Sequence, residues 1–412
     1  MLADAKTIIS RSIAAVLPDE AVRRALDGRS FARPVTLVAI GKAAWRMAKA
    51  AHDALVGNVA RGVVITKYGH SEGPIGNLEI VEAGHPVPDE NGVAAARRAL
   101  ELVSGLTAQD TVLFLVSGGG SALFELPAPG ASLEDIADIT RQLLACGAQI
   151  GEINTLRKRF SAVKGGRFGL ACRPAKVLSI VLSDVLGDSL DAIASGPAAP
   201  DQTTCADAVQ IVEKYHLQIP ENLLPLLKAE TPKALEHVES VIAGSVSELC
   251  AAAARAAQAL GYQPLILTTT LSCEAREAGE LLAAMADVLR RKNLGALLPC
   301  AVIMGGETVV HLKGSGKGGR NQEIALAAAK GIDGLKDVCV FSLGSDGTDG
   351  PTDAAGGIVT GETAGKAREM GLSIDAALQH NDAYPLLKAL DSLIMTGPTG
   401  TNVNDVSVLL IR

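Results

Sequence analysis

The chain has 412 residues and a formal net charge of −7, and 48% of its residues are hydrophobic but only 3% aromatic. This length exceeds one ordinary core and predicts two domains, and the aliphatic composition is typical of buried parallel sheets covered by helices. A negative charge without a solid basic block argues against nucleic acid as a partner. The first twenty residues lack a signal-peptide pattern, and no run reaches the roughly 20 apolar residues that span a bilayer. We therefore expect a soluble, cytoplasmic protein with no membrane partner.

Short apolar runs alternate with stretches of helical spacing through the first half of the chain. The predicted elements, in chain order, are a helix over 2–26, a strand over 34–40, a helix over 42–57 and strands over 63–66, 111–116 and 176–182. Strand, glycine-rich turn and helix recur in this order. The recurrence indicates an α/β fold with a doubly wound, Rossmann-like parallel sheet.

A region rich in proline and charge, 197–236, separates this half from a second α/β series. The sequence therefore predicts an N-terminal domain over 1–236 and a C-terminal domain over 237–412, with the active site in the cleft between them. The second series comprises predicted helices over 247–260 and 274–291 and strands over 264–269, 300–304, 307–313, 337–343 and 406–411.

Ligands of open α/β sheets bind at the carboxyl ends of the strands, so the residues after each strand are the first candidates. Lys42 follows the strand 34–40 at the first turn of a helix, where a cation opposes the helix dipole unless an anion is near. Ser117 and Ser121 flank three consecutive glycines between a strand and a helix, and the N–H groups of such a turn can converge on a phosphate. The alternatives are a solvated lysine and a flexible turn.

Cationic side chains follow Asn154 at four positions, Arg157, Lys158, Arg159 and Lys164. They could line a phosphate pocket, with a solvated helix face as the alternative.

Asp184 directly follows the strand 176–182. A carboxylate there could bind a metal or take a proton from a substrate hydroxyl, which makes Asp184 our candidate base. Asp188 could cap the turn that follows.

Glycines are densest between Gly305 and Arg320. Gly314, Gly316 and Gly319 form a literal G-x-G-x-x-G, a pattern of dinucleotide sites, but the predicted strand before it lies late in the sheet rather than in an opening βαβ unit. Arg320 opens a predicted helix beside these glycines, where a guanidinium can grip a phosphoryl group with two donors.

Three carboxylates, Asp346, Asp349 and Asp353, lie on a glycine-rich turn after the strand 337–343. One or two of these groups could hold Mg²⁺, with the rest of its shell from phosphates and water, and a run of Asp-Gly turns is the alternative. Each Gly-Lys pair is followed by Ala or Gly, so there is no Walker A motif, and no G-x-S-x-G elbow is present.

Taken together, these motifs resemble the glycerate 2-kinase family, whose C-terminal part is the MOFRL domain. The resemblance covers nearly the whole chain and rests on VSGGGSAL (116–123), NTLRKRFSAVKGG (154–166), LSDVLGDSLDAIASGP (182–197), GGETVV (305–310), GRNQEIAL (319–326), SDGTDGPTDAAGG (345–357) and TNVNDV (401–406).

The resemblance implies a C-terminal domain with a mixed sheet of the MOFRL type. It also implies ATP-dependent phosphorylation of D-glycerate at the 2-hydroxyl, giving 2-phosphoglycerate, with ATP and Mg²⁺ as cofactors. Catalytic roles fall on Lys42, Asp184 and Arg320. The residues expected to bind substrate or nucleotide are Ser117, Gly118, Gly119, Gly120, Ser121, Asn154, Lys158, Lys164, Gly165, Ser195, Gly196, Gly305, Glu307, Gly319, Asn321 and Thr348.

Two other functions remain open at this point. A nicotinamide-dependent hydroxypyruvate reductase would use the G-x-G-x-x-G at 314–319, but Asp337 lies before the next strand, not at its end where a ribose-binding acid belongs. A non-catalytic nucleotide-binding protein would not need so many candidate catalytic groups at strand ends. The sequence also leaves the oligomeric state open, with a homodimer among the options.

Overall fold

The computed structural model describes residues 1–291 and 298–412. The described chain divides into two compact units, which we call the N-terminal unit (Pro18–Ala243) and the C-terminal unit (Met1–Leu17 with Gly244–Arg412). The predicted boundary at 236/237 differs from this division in two ways. It separates the last strand of the first sheet from its neighbours, and it assigns the first helix to the wrong unit. Within the described ranges, no helix has both the length and the apolar sequence needed to cross a membrane.

The described part of the N-terminal unit contains a six-stranded sheet in the order β3-β2-β1-β4-β5-β6. The strands are β1 (Val35–Ile40), β2 (Val59–Lys67), β3 (Glu79–Ala83), β4 (Thr111–Val116), β5 (Lys176–Leu182) and β6 (Val238–Gly244). The neighbouring pairs from β3 to β5 are parallel. The central strands are almost entirely buried because helices cover both faces of such a sheet. This confirms the predicted Rossmann-like fold.

Helices connect the strands of the N-terminal unit. They are α2 (Pro18–Leu26), α3 (Ala44–Ala54), α4 (Glu90–Val103), α5 (Gly120–Leu123), α6 (Leu133–Ala145), α7 (Ile150–Phe160), α8 (Arg167–Ala171), α9 (Cys205–Lys214) and α10 (Leu224–Leu227), with 3-10 turns at Ile193–Ser195 and Glu221–Leu223. The strand order reverses its direction of progression between β1 and β4. The loops after these two strands therefore lie at the switch point where ligands of doubly wound sheets bind.

The C-terminal unit has a mixed sheet in the order β11-β10-β9-β12-β8-β7. Its strands are β7 (Gln263–Leu271), β8 (Cys300–Gly306), β9 (Val338–Gly344), β10 (Gly356–Thr360), β11 (Leu393–Ile394) and β12 (Asp405–Ile411). β12 runs antiparallel to both β8 and β9, whereas β7 and β8 are parallel. This confirms the expected mixed sheet. The strand predicted over 307–313 is wrong, since only Val309 makes an isolated bridge there, with Glu274.

Helices of the C-terminal unit are α1 (Leu2–Ala15), α11 (Val246–Ala259), α12 (Ala275–Arg291), α13 (Arg320–Gly331), α14 (Thr363–Glu369), α15 (Ile374–Gln379) and α16 (Ala383–Ala389). The single helix predicted over 2–26 is in fact two helices, α1 and α2, which Val16 and Leu17 separate. Pro18 opens α2 because its fixed φ and missing N–H suit the first helical position but not a helix interior. The break allows α1 to join the C-terminal unit.

Candidate active site

The loops after β1 and β4 are bonded directly to each other. The N–H of Lys42 donates to the Gly118 carbonyl at 2.9 Å, and the N–H of Ala43 donates to the Ser117 hydroxyl at 3.1 Å. Gly41 has a φ of 113°, and a Cβ atom there would lie 2.3 Å from Ser117 Oγ. Only glycine allows this approach. The backbone therefore fixes Lys42 beside the glycine turn.

Asp184, after β5, reaches the same glycine turn. A Cβ atom at Gly118 would lie 2.3 Å from Asp184 Oδ2. At Gly119, which has a φ of 85°, it would lie 3.2 Å from Lys42 Cγ and 3.0 Å from His85 Cδ2. The structure thus brings Lys42, the turn Gly118–Gly120 and Asp184 together at one edge of the sheet.

His85 completes this edge and was not predicted. Burial lowers its pKa, and the positive charges of Lys42 and Lys67 add to the effect. His85 is therefore neutral over most of the physiological pH range and suited to hydrogen bonding rather than to charge. The sequence signal for His85 is its position just after β3, but the two glutamates of that short strand gave it no apolar pattern from which a strand could be predicted.

A chain of side-chain hydrogen bonds extends from the glycine turn. Ser121 Oγ lies 3.0 Å from Ser195 Oγ, which donates to Asn154 Oδ1 at 3.2 Å. Ala194 and Ser195 have φ values of 52° and 59°, a left-handed conformation that L-residues adopt at a cost of about 1 kcal/mol each. Gly196 continues this conformation with a φ of 63°. Strained backbone held by buried polar contacts is common at ligand sites.

Lys158 and Lys164 are placed differently from the prediction that they bind ligand. Lys164 is fully buried and bonded to Glu125, while Lys158 contacts Asp191 at 3.0 Å and Asp201 at 3.1 Å. Buried charges need such partners to offset desolvation. We therefore expect both lysines to stabilise the fold, and their binding of a ligand stays a prediction.

Gly165 also supports the fold near the site. Its N–H donates to the Ser195 carbonyl at 3.0 Å, and its φ of 57° is one that glycine adopts without strain. It therefore helps to hold the loop that carries Ser195.

Arg320 opens α13 and lies between two carboxylates. Its Nε and Nη2 donate to Asp405 at 2.5 and 3.1 Å, and its Nη1 donates to Glu307 at 2.8 Å. Burial alone would lower the pKa of Arg320, but the bonds and charges of Asp405 and Glu307 outweigh it and raise the pKa. Among the described residues, these partners occupy three of the five guanidinium N–H groups.

Asp405 was not predicted as a site residue. It starts β12, an antiparallel strand, so the rule about carboxyl ends of parallel strands does not point to it. Burial raises its pKa to about 6 even though Arg320 acts in the opposite direction. It holds the Arg320 guanidinium in place through two bonds.

The three aspartates predicted to hold Mg²⁺ have separate partners. Asp349 is buried and accepts hydrogen bonds from the N–H groups of Asn321 and Gln322 at the start of α13, at 3.2 and 2.9 Å. Asp353 accepts from the Tyr384 hydroxyl at 2.7 Å, and Asp346 accepts from the N–H of Thr348 at 3.0 Å.

In residues 1–291 and 298–412, no group of three His, Cys, Asp or Glu side chains is arranged to hold a metal ion. The predicted binding of Mg²⁺ by one or two of these aspartates, together with phosphates and water, stays a prediction. Asp349 satisfies backbone donors at the start of α13.

The G-x-G-x-x-G segment is a packing pattern. Cβ atoms at Gly314 and Gly316 would lie 2.5 Å from the His380 carbonyl oxygen. At Gly319 a Cβ atom would lie 2.3 Å from Asp349 Cγ. No strand leads directly into the segment, and its glycines are explained by close backbone contacts rather than by a pyrophosphate.

The remaining predicted binding residues of this unit contribute to local structure. Gly305 is the residue before the end of β8, and a Cβ atom there would lie 2.4 Å from Cys250 Sγ. Asn321 Oδ1 accepts a hydrogen bond from the Ser342 hydroxyl at 2.6 Å. Thr348 is exposed on the turn after β9.

Replacement of Asp349 by Asn should change how stability depends on pH. Burial raises the pKa of Asp349 to about 7, so the stabilisation that its protonation provides is complete below about pH 4 and lost as the pH rises through about 7. We expect the free energy of unfolding of the wild type, minus that of Asp349→Asn, to fall across this window. Urea unfolding at a series of pH values measures it, and a difference that is constant or rises with pH would contradict the assignment.

Comparison with known proteins agrees with both units. Residues 4–228 match the family described as Domain of unknown function (DUF4147), and residues 300–405 match the MOFRL family. D-glycerate 2-kinase from Thermotoga maritima is 54% identical over 98% of this chain and 97% of its own length. A crystal structure of glycerate kinase from that organism superposes with a TM-score of 0.96 at 54% identity, covering 99% of both chains.

A protein from Agrobacterium vitis that carries the name hydroxypyruvate reductase is 40% identical over 98% of this chain and 93% of its own. Two different activities are thus named among the relatives, although the sequences align along nearly their whole length. The assignment of the chain to its family holds whichever of the two names is used. The resemblance to the glycerate 2-kinase family, noted from the motifs, is confirmed. The chain belongs to the family of the glycerate 2-kinases, with a DUF4147 region followed by a MOFRL region.

Proposed function

We propose that this chain is a D-glycerate 2-kinase, which transfers the γ-phosphoryl group of ATP to the 2-hydroxyl of D-glycerate and releases 2-phosphoglycerate and ADP. One observation carries the proposal. Lys42, the turn Gly118–Gly120 and Asp184 lie side by side at the switch point of the parallel sheet. A cation, a glycine turn whose N–H groups can converge on a phosphate, and a carboxylate suit phosphoryl transfer to an alcohol.

The residues have complementary roles in this reaction. The 2-hydroxyl oxygen attacks the γ-phosphorus, its proton passes to the Asp184 carboxylate, and the bond to the bridging oxygen of ADP breaks. Lys42 stabilises the negative charge of the transferring group. Arg320, which opens α13, supplies a second cation with a rigid two-donor fork. We propose that the nucleotide enters as its magnesium complex, because Mg²⁺ in such enzymes is held mainly by the phosphates and water with one or two protein carboxylates.

The reductase alternative lacks support in the geometry. Its only dinucleotide motif, Gly314 to Gly319, packs against residues 380–382 and follows no strand. The relatives named as glycerate kinases favour the kinase as well. The expected position of the active site between the domains stays a prediction.

The purified protein should form ADP when supplied with D-glycerate and MgATP and no nicotinamide. Coupled detection of ADP gives the rate, and ³¹P NMR identifies 2-phosphoglycerate and distinguishes it from the 3-phosphate isomer. Hydroxypyruvate with NADH is the control and should show no oxidation. Oxidation of NADH by hydroxypyruvate without any ADP formation from glycerate would overturn the proposed function.

A further inference from the structure

Arg157 differs from the other cationic side chains of its segment. Lys158, Arg159 and Lys164 are all buried and each lies within 4 Å of a carboxylate. The Arg157 guanidinium, in contrast, makes no hydrogen bond or ion pair with any residue of the part of the chain that the structure describes. Of the four cations that the sequence places together, Arg157 alone lacks a protein partner among the described residues.

The surroundings of Arg157 belong to the candidate active site. Arg157 lies on α7 three residues after Asn154, so the two side chains share one helix face. Asn154 is joined through Ser195 to Ser121 at the end of the glycine turn, and Gly118 at the start of that turn lies against Asp184. The turn thus links the face that carries Arg157 to the candidate base.

The charge of Arg157 is poorly compensated by the protein. Burial lowers its pKa, although the Glu125 carboxylate acts in the opposite direction. Glu125 itself is already bonded to the fully buried Lys164. A guanidinium taken out of water without an anion costs stability, so a site of this kind is completed when an anion binds.

We propose that Arg157 binds the carboxylate of the acceptor substrate, with Asn154, Ser195 and Ser121 beside it as partners for the hydroxyl groups. This inference rests on the proposed function, because it names the part of D-glycerate that Arg157 recognises. The substrate carboxylate is planar and matches the two parallel N–H donors of a guanidinium. It is also attached to the carbon that bears the reacting 2-hydroxyl, so its position fixes that of the hydroxyl.

The test compares Arg157→Gln and Arg157→Lys with the wild type. We expect Arg157→Gln to raise the KM for D-glycerate about 10- to 100-fold, the size of a lost charge-assisted contact, with the KM for MgATP unchanged. Arg157→Lys keeps the charge but not the fork, so it should recover only part of the loss. D-Glyceramide, in which a neutral amide replaces the carboxylate, should be used equally well by the wild type and Arg157→Gln.

Arg141→Gln is the matched control, because Arg141 is a highly exposed arginine of the same unit that pairs with Asp138. It should leave both KM values unchanged. The proposal is overturned if folded Arg157→Gln has an unchanged KM for D-glycerate, or if only its KM for MgATP rises. Calorimetric titration with D-glycerate tests the role of Arg157 separately from the proposed function, because it measures binding without turnover. If the wild type shows no kinase activity, weaker binding of D-glycerate to Arg157→Gln still supports the inference. Equal binding to both proteins refutes it. If Arg157→Gln does not fold, Arg157→Lys decides by the same criteria.

Discussion

Lys164→Met should lower the free energy of unfolding by about 3–5 kcal/mol, because it leaves the Glu125 carboxylate buried without its cation. Neither side chain of this pair reaches solvent appreciably, with exposures of 0% and 2%. Burial also lowers the pKa of Lys164, against the effect of Glu125, so the ammonium depends on this partner for its charge. Urea unfolding followed by circular dichroism measures the loss.

Two further variants test the reason for this loss. Lys214→Met removes an ion pair with Glu152 at the surface of the same unit, where the lysine is 58% exposed, and should cost less than about 1 kcal/mol. The double replacement of Glu125 and Lys164 by Leu and Met should recover most of the stability, since no unpaired charge remains. If Lys164→Met is as stable as the wild type but has a raised KM for D-glycerate or MgATP, Lys164 binds a ligand rather than stabilising the fold.

The fold was largely predictable where burial is uniform along an element. β1, β4 and β5 are mostly apolar and almost entirely buried because helices cover both faces of their sheet, and each was predicted within about one residue. β3 was missed because its exposed and half-buried residues include two glutamates. Short edge strands of this kind carry little signal.

The placement of α1 could not be read from local sequence. Asp4 accepts a hydrogen bond from Tyr262 at 2.8 Å and pairs with Arg412 at 3.1 Å, and the Thr401 hydroxyl donates to the Val16 carbonyl at 2.9 Å. Each of these contacts joins residues that are far apart in sequence. Periodicity predicts that a helix forms, whereas contacts of this range decide which unit it joins.

Part of the site was predictable because ligands of open α/β sheets bind at the carboxyl ends of the strands. Lys42 and Asp184 follow parallel strands, and the structure places both beside the glycine turn. Ligand binding by Lys158 and Lys164 stays a prediction, because a cationic run looks the same whether it faces a ligand or buried carboxylates. The deciding partners, Asp201 and Glu125, lie about 40 residues away. Charge patterning alone therefore does not separate a binding site from a buried ion-pair network.

Lys42→Ala and Arg320→Ala should each lower kcat by about 10²- to 10³-fold at saturating D-glycerate and MgATP, with smaller changes in KM. Both cations are expected to act on the charge that the transferring phosphoryl group develops, which is greater in the transition state than in the bound substrate. Arg320→Lys should recover little activity, since Arg320 is held by two bonds to Asp405 and a lysine cannot keep this grip and also offer a two-donor fork. Steady-state kinetics with each substrate varied in turn measures these effects.

Matched surface variants separate lost catalysis from lost structure. Lys49→Ala removes a lysine of α3 that pairs with Asp53, and Arg368→Ala removes an exposed arginine of the C-terminal unit that pairs with Asp333. Both should keep wild-type kcat. Arg320→Ala also leaves the buried Asp405 without its cation, so its unfolding should be measured beside its kinetics. A folded Lys42→Ala or Arg320→Ala that keeps its kcat but has a raised KM would show that the cation binds the ground state and does not drive the transfer.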